Sequence, residues 1–205
     1  MYNIICVTNR ALCQEDFFIR LKKIASCRPF GIILREKDLS ETKYKELARQ
    51  ALDICNTYQV PCILHSYAKA AIELNANSIH LPLSLLSKLT DEQKNSFHTI
   101  GASCHSVKEA KAAEQLGCTY ITAGHIFDTE CKKGLAGRGT GFLKDVCQSV
   151  SIPVYAIGGI TKDNIRLITK AGAKGACIMS GLMQCHDVSA CFKDFRKDGE
   201  NHAVS

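Results

Sequence analysis

The sequence lacks most of the features that would assign it to a membrane, to nucleic acid or to a structural metal. No apolar run approaches the roughly 18 residues of a membrane span, and no basic leader followed by an apolar stretch marks a signal peptide. Lys and Arg outnumber Asp and Glu by 26 to 20, but the positive residues are scattered. Nucleic-acid binding calls for a clustered basic footprint, so this mild positive balance points instead to a small anionic partner. Twelve cysteines are present, yet no pair is spaced C-x-x-C and there is no H-E-x-x-H, so zinc spacing is missing and no metal is expected. Several cysteines (Cys6, Cys62, Cys104, Cys118, Cys177) lie in or beside apolar runs, where a free thiol behaves as a small hydrophobe. Reduced thiols and a cytoplasmic location follow. No linker, low-complexity stretch or break in composition divides the chain. At this length one domain buries roughly 70% of its unfolded surface, and residues 1–205 are read as one domain with a frayed polar tail from Asp198.

What is present is alternation. Short apolar runs at 4–8, 30–34, 61–64, 78–81, 99–104, 120–124, 153–158 and 175–180 have the Ile-, Val- and Thr-rich character of buried parallel strands. Between most of them lie segments at helical period, including Lys43–Tyr58, Val107–Leu116 and Asn164–Ala171, with a further helix at about 187–197. Ser106-Val-Lys-Glu109 reads as a capping box, and Gly117 and Gly172 as helix stops. Eight β units joined by helices predict an α/β fold, a single (β/α)8 TIM barrel.

In such a barrel the chemistry gathers where the strands end, and phosphate commonly sits after strands 7 and 8. Strand 7 runs into Ile157-Gly158-Gly159-Ile160 and strand 8 into Met179-Ser180-Gly181. Bare glycine amides can approach an anion closely, and the following helix N-termini add partial positive charge. A tight-turn role alone would also account for one Gly-Gly pair; two such loops side by side favour a phosphate cradle.

The segment after strand 6, from Gly124 to Gly139, is longer than the usual βα loop of 2–6 residues. It opens with His125 and carries Lys132, Lys133 and Arg138 among glycines, a composition suited to clamping an anion. A histidine at the mouth of a strand can take and give a proton near neutral pH, so His125 is the catalytic candidate, against the alternative of a structural histidine. His65, His80, His98, His105, His186 and His202 are read as structural or surface residues. The ends of strands 3 and 4 (Leu64-His65-Ser66-Tyr67 and His80-Leu81-Pro82-Leu83) offer no carboxylate to a Mg²⁺-diphosphate.

Taken together, Leu34-Arg35-Glu36-Lys37, Ser103, the strand 6 loop, IGGI at 157–160 and MSG at 179–181 resemble the thiamin phosphate synthase superfamily, from about Ile4 to Met183. Within it the chain is most similar to the TenI-type thiazole tautomerases, whose G-H-V-F-x-T-[DE]-C-K-K-G-x-x-x-R-G motif it follows closely from Gly124. It departs from the synthase pattern in having Ile33 for Gln, His65-Ser66 for Asn-Asp, Pro82-Leu83-Ser84-Leu85 where an Asp is expected, and His125 for Pro. The resemblance implies aromatisation of a dihydrothiazole carboxylate phosphate by a 1,3-proton shift, with a small phosphorylated thiazole-type partner and no cofactor. It places Lys132 and Thr129 near the phosphate or its neighbours, and small barrels of this family are often homodimers. Arg35 and Lys37 either reach the pocket or stay on the surface, and Ser103 either bonds substrate or caps its strand. Two alternatives stand beside this reading: a Mg²⁺-dependent thiamin phosphate synthase, and a non-catalytic regulator that binds a thiazole phosphate.

Overall fold

The computed structural model describes residues 2–132 and 134–197. Eight parallel strands, β1 (Asn3–Val7), β2 (Gly31–Leu34), β3 (Cys62–His65), β4 (Ser78–Pro82), β5 (Thr99–Cys104), β6 (Tyr120–Gly124), β7 (Val154–Ile157) and β8 (Gly175–Ile178), close into a barrel in sequence order. Closure is made by β1 against β8, with Ile4 opposite Ala176 and Cys6 opposite Ile178. The predicted (β/α)8 barrel is the observed fold. The polar tail expected from Asp198, and His202 within it, lie outside the described residues, as does Lys133.

Why the strands are apolar throughout is visible in their alternation. Ile5, Val7, Ile33, Ile63, Tyr120, Tyr155 and Cys177 form a cluster inside the barrel, while Ile4, Cys6, Ile32, Leu34, Leu64, Ile79, Leu81, Ala102 and Cys104 pack outward under the helices. Both faces of each strand are therefore dry, and at about 25 cal/mol per Å² of apolar surface their burial is the main stabilising term. The helices are α1 (Phe17–Ser26), α2 (Glu41–Thr57), α3 (Ala68–Glu73), α4 (Leu83–Leu86), α5 (Asp91–Asn95), α6 (Val107–Gln115), α7 (Gly139–Ser149), α8 (Ile165–Lys170), α9 (Ser180–Met183) and α10 (Val188–Lys197). Among the described residues no helix is long and apolar enough to cross a membrane, and the cysteines other than Cys131 are free thiols, with Cys6, Cys55, Cys104, Cys118 and Cys177 buried.

The helix ends correct one sequence expectation. Ser106 caps α6 by accepting from the Glu109 amide at 3.1 Å, but the Glu109 carboxylate accepts from the His105 amide rather than from Ser106. A full capping box occurs instead at Thr90 and Gln93, opening α5. Neither difference moves a strand.

Two side chains lock the strand ends that carry the site. The buried Tyr44 hydroxyl donates to the Leu34 carbonyl at 2.7 Å and accepts from the His65 amide at 2.8 Å, tying β2 to β3. Glu36, also buried, accepts from the Thr8 hydroxyl and from the Arg10 amide, fixing the end of β2 against β1. Since Glu36 turns outward, period-two alternation sends Arg35 and Lys37 the other way.

Candidate active site

A cavity of about 470 Å³ opens at the C-terminal ends of the strands. Arg35, Lys37, Ser103, His125, Thr129, Lys132, Gly158, Gly159, Ser180 and Gly181 all line it. These residues come from β2, β5, β6, β7 and β8 or the loops after them, so closure of the barrel brings together positions as much as 146 apart in the chain (Arg35 to Gly181).

The cradle after β7 and β8 is built from backbone. Gly158 and Gly159 have φ of +98° and +64°. A methyl on Gly158 would lie 2.3 Å from the His125 Cβ, and one on Gly159 would lie 2.3 Å from the Asp128 carbonyl oxygen. The pair is thus required by the close approach of the strand 6 loop, whether or not an anion binds. Among the described residues no protein group accepts from the amides of Gly159, Ser180 and Gly181, which line the cavity.

The strand 6 loop is anchored by its own backbone. Ile126 and Phe127 donate to the carbonyls of Ile157 and Gly158, and Arg138 and Gly139 donate back to those of His125 and Ile126. Gly137 donates to the Asp128 carboxylate at 2.7 Å. Two of the basic residues expected to clamp an anion separate here. Lys132 faces the cavity, whereas Arg138 lies over the Phe142 ring, 5.1 Å from its centroid, at the start of α7.

His125 is buried in the cavity wall, 7% exposed. Its Nε2 lies 3.2 Å from the Leu135 carbonyl oxygen, which only accepts, so Nε2 is a donor and, in the neutral tautomer, Nδ1 is the acceptor. Nδ1 is itself buried and without a partner. An orphaned buried acceptor costs about 1–3 kcal/mol, and such orphans call for an explanation such as a catalytic role.

Charge in the cavity is of one sign. Arg35, Lys37 and Lys132 line it, and among the described residues no carboxylate does. The Lys37 ammonium is held below the usual lysine range, first by desolvation and then by the neighbouring Arg35 and Lys132. Three cations gathered without a lining carboxylate among the described residues favour an anionic ligand.

Sequence reasoning set aside three histidines that the structure places in this wall: His65, His80 and His105. The His105 Nδ1 lies 2.7 Å from the Gly124 carbonyl, and the rings of His65 and His80 stack with centroids 5.7 Å apart. Burial pushes His65 down to about 2, helped by His80, Arg35 and Lys37, and pushes His80 down to about 3. Both are neutral at physiological pH. Strand parity was the available signal, because His65 lies two residues after inward Ile63, and His80 two before Pro82 of the cavity wall. By contrast, His98 and His186 are exposed, as expected.

Fold and site together define a closed (β/α)8 barrel with a cation-lined pocket at its C-terminal mouth. The profile of the family described as thiamine monophosphate synthase matches residues 4–182, and the chain belongs to that family. It is 34% identical over 202 residues to "Thiamine-phosphate synthase 2" of Streptococcus pneumoniae, covering 95% of this chain and 94% of that one. It is 31% identical over 181 residues to "Putative thiamine-phosphate synthase 2" of Aquifex aeolicus, covering 88% and 97%. Among solved structures, a thiamine phosphate pyrophosphorylase from Pyrococcus furiosus superimposes with a TM-score of 0.82 at 26% identity, covering 96% of this chain and 94% of that one.

Proposed function

We propose that this member of the thiamin phosphate synthase superfamily is a TenI-type thiazole tautomerase, an isomerase that aromatises a dihydrothiazole carboxylate phosphate by a 1,3-proton shift. The single observation that carries the reading is His125, a buried imidazole whose Nδ1 has no partner, in a cavity lined by cations, histidines and glycine amides but, among the described residues, no carboxylate. The reaction moves one proton from a ring carbon to an exocyclic carbon. In this reading the imidazole of His125 removes the ring proton and the resulting imidazolium returns it to the exocyclic carbon, so one residue serves as base and then as acid. Lys132, Arg35 and Lys37 hold the carboxylate, and the amides of Gly158, Gly159 and Gly181 with the Ser180 hydroxyl hold the phosphate. Thr129, beside Lys132 on the loop, contacts the substrate between these ends. Aromatisation supplies the driving force, and no cofactor enters.

A second reading is favoured by the names of the relatives, which are those of thiamine-phosphate synthases. That reaction would join a pyrimidine diphosphate to a thiazole phosphate with Mg²⁺. Hard cations bind through oxygen, mostly carboxylate. The lining here supplies none, and among the described residues no group of three His, Cys, Asp or Glu is placed to hold a metal. The donor set does not fit, and no step is routed through the ion. A regulator that binds a thiazole phosphate without turnover would share the cradle and have no use for the His125 base.

The deciding experiment supplies the dihydrothiazole carboxylate phosphate with EDTA present and follows the aromatic thiazole absorbance. Wild type is expected to turn over, and His125→Asn to lose roughly 10²- to 10⁴-fold in kcat while still binding the product phosphate. Thiamin phosphate formed from the two synthase substrates with Mg²⁺, and no aromatisation without it, would establish the second reading. Binding with neither reaction would establish the regulator.

A further inference from the structure

Three polar side chains in the β4–β6 sector are joined in a line that the proposed chemistry of His125 does not use. The Tyr120 hydroxyl lies 2.9 Å from Nδ1 of His80, and Nε2 of His80 lies 2.8 Å from the Ser103 hydroxyl. The barrel register explains the line. His80, Gly101 and Tyr120 occupy one row across β4, β5 and β6. The missing side chain at Gly101 makes the passage: a methyl there would stand 2.2 Å from the Tyr120 Cζ, so the phenol crosses β5 through the space glycine leaves. Ser103 stands one inward position further up β5, at the cavity, where it is half-buried.

Hydrogen-bond accounting gives this line a direction. Tyr120 is buried in the barrel interior, and burial holds its hydroxyl well above the usual phenol range, so it keeps its proton. Among the described residues His80 Nδ1 is its partner. If Nδ1 carried the imidazole proton, the phenol would accept it and its own proton would be stranded. If Nδ1 accepts, both buried donors, the phenol and Nε2–H, are used within the line. Stranding a buried donor disfavours the first arrangement by roughly tenfold or more. His80 is then the Nε2–H tautomer, Nε2 donates to the Ser103 oxygen, and the Ser103 proton must point elsewhere. No other described protein group is bonded to Ser103 Oγ, and the residue lines the cavity. His80 does not itself trade protons in this arrangement, because burial keeps it neutral down to about pH 3.

We infer that Tyr120 and His80 order the proton of Ser103 so that its hydroxyl is presented to the bound molecule as a hydrogen-bond donor, making Ser103 a further catalytic contact and His80 and Tyr120 positioning residues. The inference rests on the tautomerase reading for the identity of the acceptor, an oxygen or nitrogen on the reacting half of the substrate. There a fixed donor gains strength as charge leaves the abstracted carbon, and it needs no reorganisation at that moment. The direction of the line rests on the protein alone.

The test is a double-mutant cycle on the full chain together with nitrogen-15 NMR of the His80 ring. Ser103→Ala is expected to lower kcat on the order of 10- to 100-fold while product-phosphate affinity changes less than about twofold, since the cradle lies on β7 and β8. Tyr120→Phe should lower kcat by about threefold to tenfold with a similar KM. The double variant should be no slower than Ser103→Ala, because the phenol acts only through the serine. The NMR pattern should be that of a neutral Nε2–H imidazole with Nδ1 unprotonated, and Tyr120→Phe should shift it towards the other tautomer. An Nδ1–H tautomer in the wild type would overturn the inference, and so would losses that multiply in the double variant. A Tyr120→Phe protein with a lower melting temperature but wild-type kcat would also overturn it. If the wild type showed no turnover, the tautomerase reading would fail, and the NMR result would still decide the order of the line.

Discussion

The two halves of the cavity wall solve the same problem with opposite materials. From β6 to β8 the wall is mostly backbone: glycines in left-handed conformations, open amides, and a loop laid directly on them, so that a methyl on Gly158 would collide with His125. From β2 to β5 it is mostly side chain: Arg35, Lys37, two buried neutral histidines and Ser103, held from behind by Tyr44, Glu36 and Tyr120. Backbone offers anion donors that cannot titrate or swing away. Side chains offer a charge and a proton order that depend on burial. The first half tolerates little change in shape, and the second little change in protonation.

The largest effect is expected where shape is fixed. Gly158→Ala forces a side chain into a φ of +98° and into contact with the His125 backbone. It should cost about 3 kcal/mol or more in a denaturant titration, and should weaken phosphate binding as well. A variant with wild-type stability would show that the loop is not seated as described.

Next comes acid. His65 and His80 are held far below the unfolded value of 6.5. The unfolded chain therefore binds more protons than the folded one below that pH. The stability these neutral rings contribute is complete above about pH 6.5 and is lost as pH falls towards the folded values of about 3 and 2. By pH 5 the loss should be about 2 kcal/mol per histidine. Thermal melts from pH 7 to pH 5 should show a steeper decline in wild type than in a His65→Gln/His80→Gln variant, and equal slopes would refute the burial argument.

Tyr44→Phe should cost about 1–3 kcal/mol by leaving the His65 amide and Leu34 carbonyl without their partner. The smallest effect belongs to an exposed charge. Lys132→Ala should raise KM about tenfold, roughly 1.4 kcal/mol, with kcat changed much less. A collapse of kcat with KM intact would move Lys132 from binding to transition-state stabilisation.

Much of the site was legible because it follows strand parity and loop composition. The cradle glycines, Ser180 and the long loop after β6 could be placed once eight strands were counted. Arg35 and Lys37 remained ambiguous until Glu36 was found turned outward, since parity alone does not say which of two alternating sets faces in. His65, His80 and His105 were passed over for want of a loop like that after β6. Their place in the wall depends on inward register instead, as does the Gly101 gap that admits Tyr120. Arg138 matched a cation-clamp pattern and yet stacks on Phe142, because loop composition does not fix where a side chain goes.

The sequence by itself determined the barrel and its family: eight mostly apolar strand segments at helical intervals admit few arrangements other than a closed parallel sheet, and the motifs after β2, β6, β7 and β8 are local. Only the tertiary structure decided which polar groups meet, that the cations share a cavity with no lining carboxylate among the described residues, and that His65 and His80 are held neutral by burial. Those properties depend on burial and on partners many positions away along the chain, and both come into being only when the sheet closes.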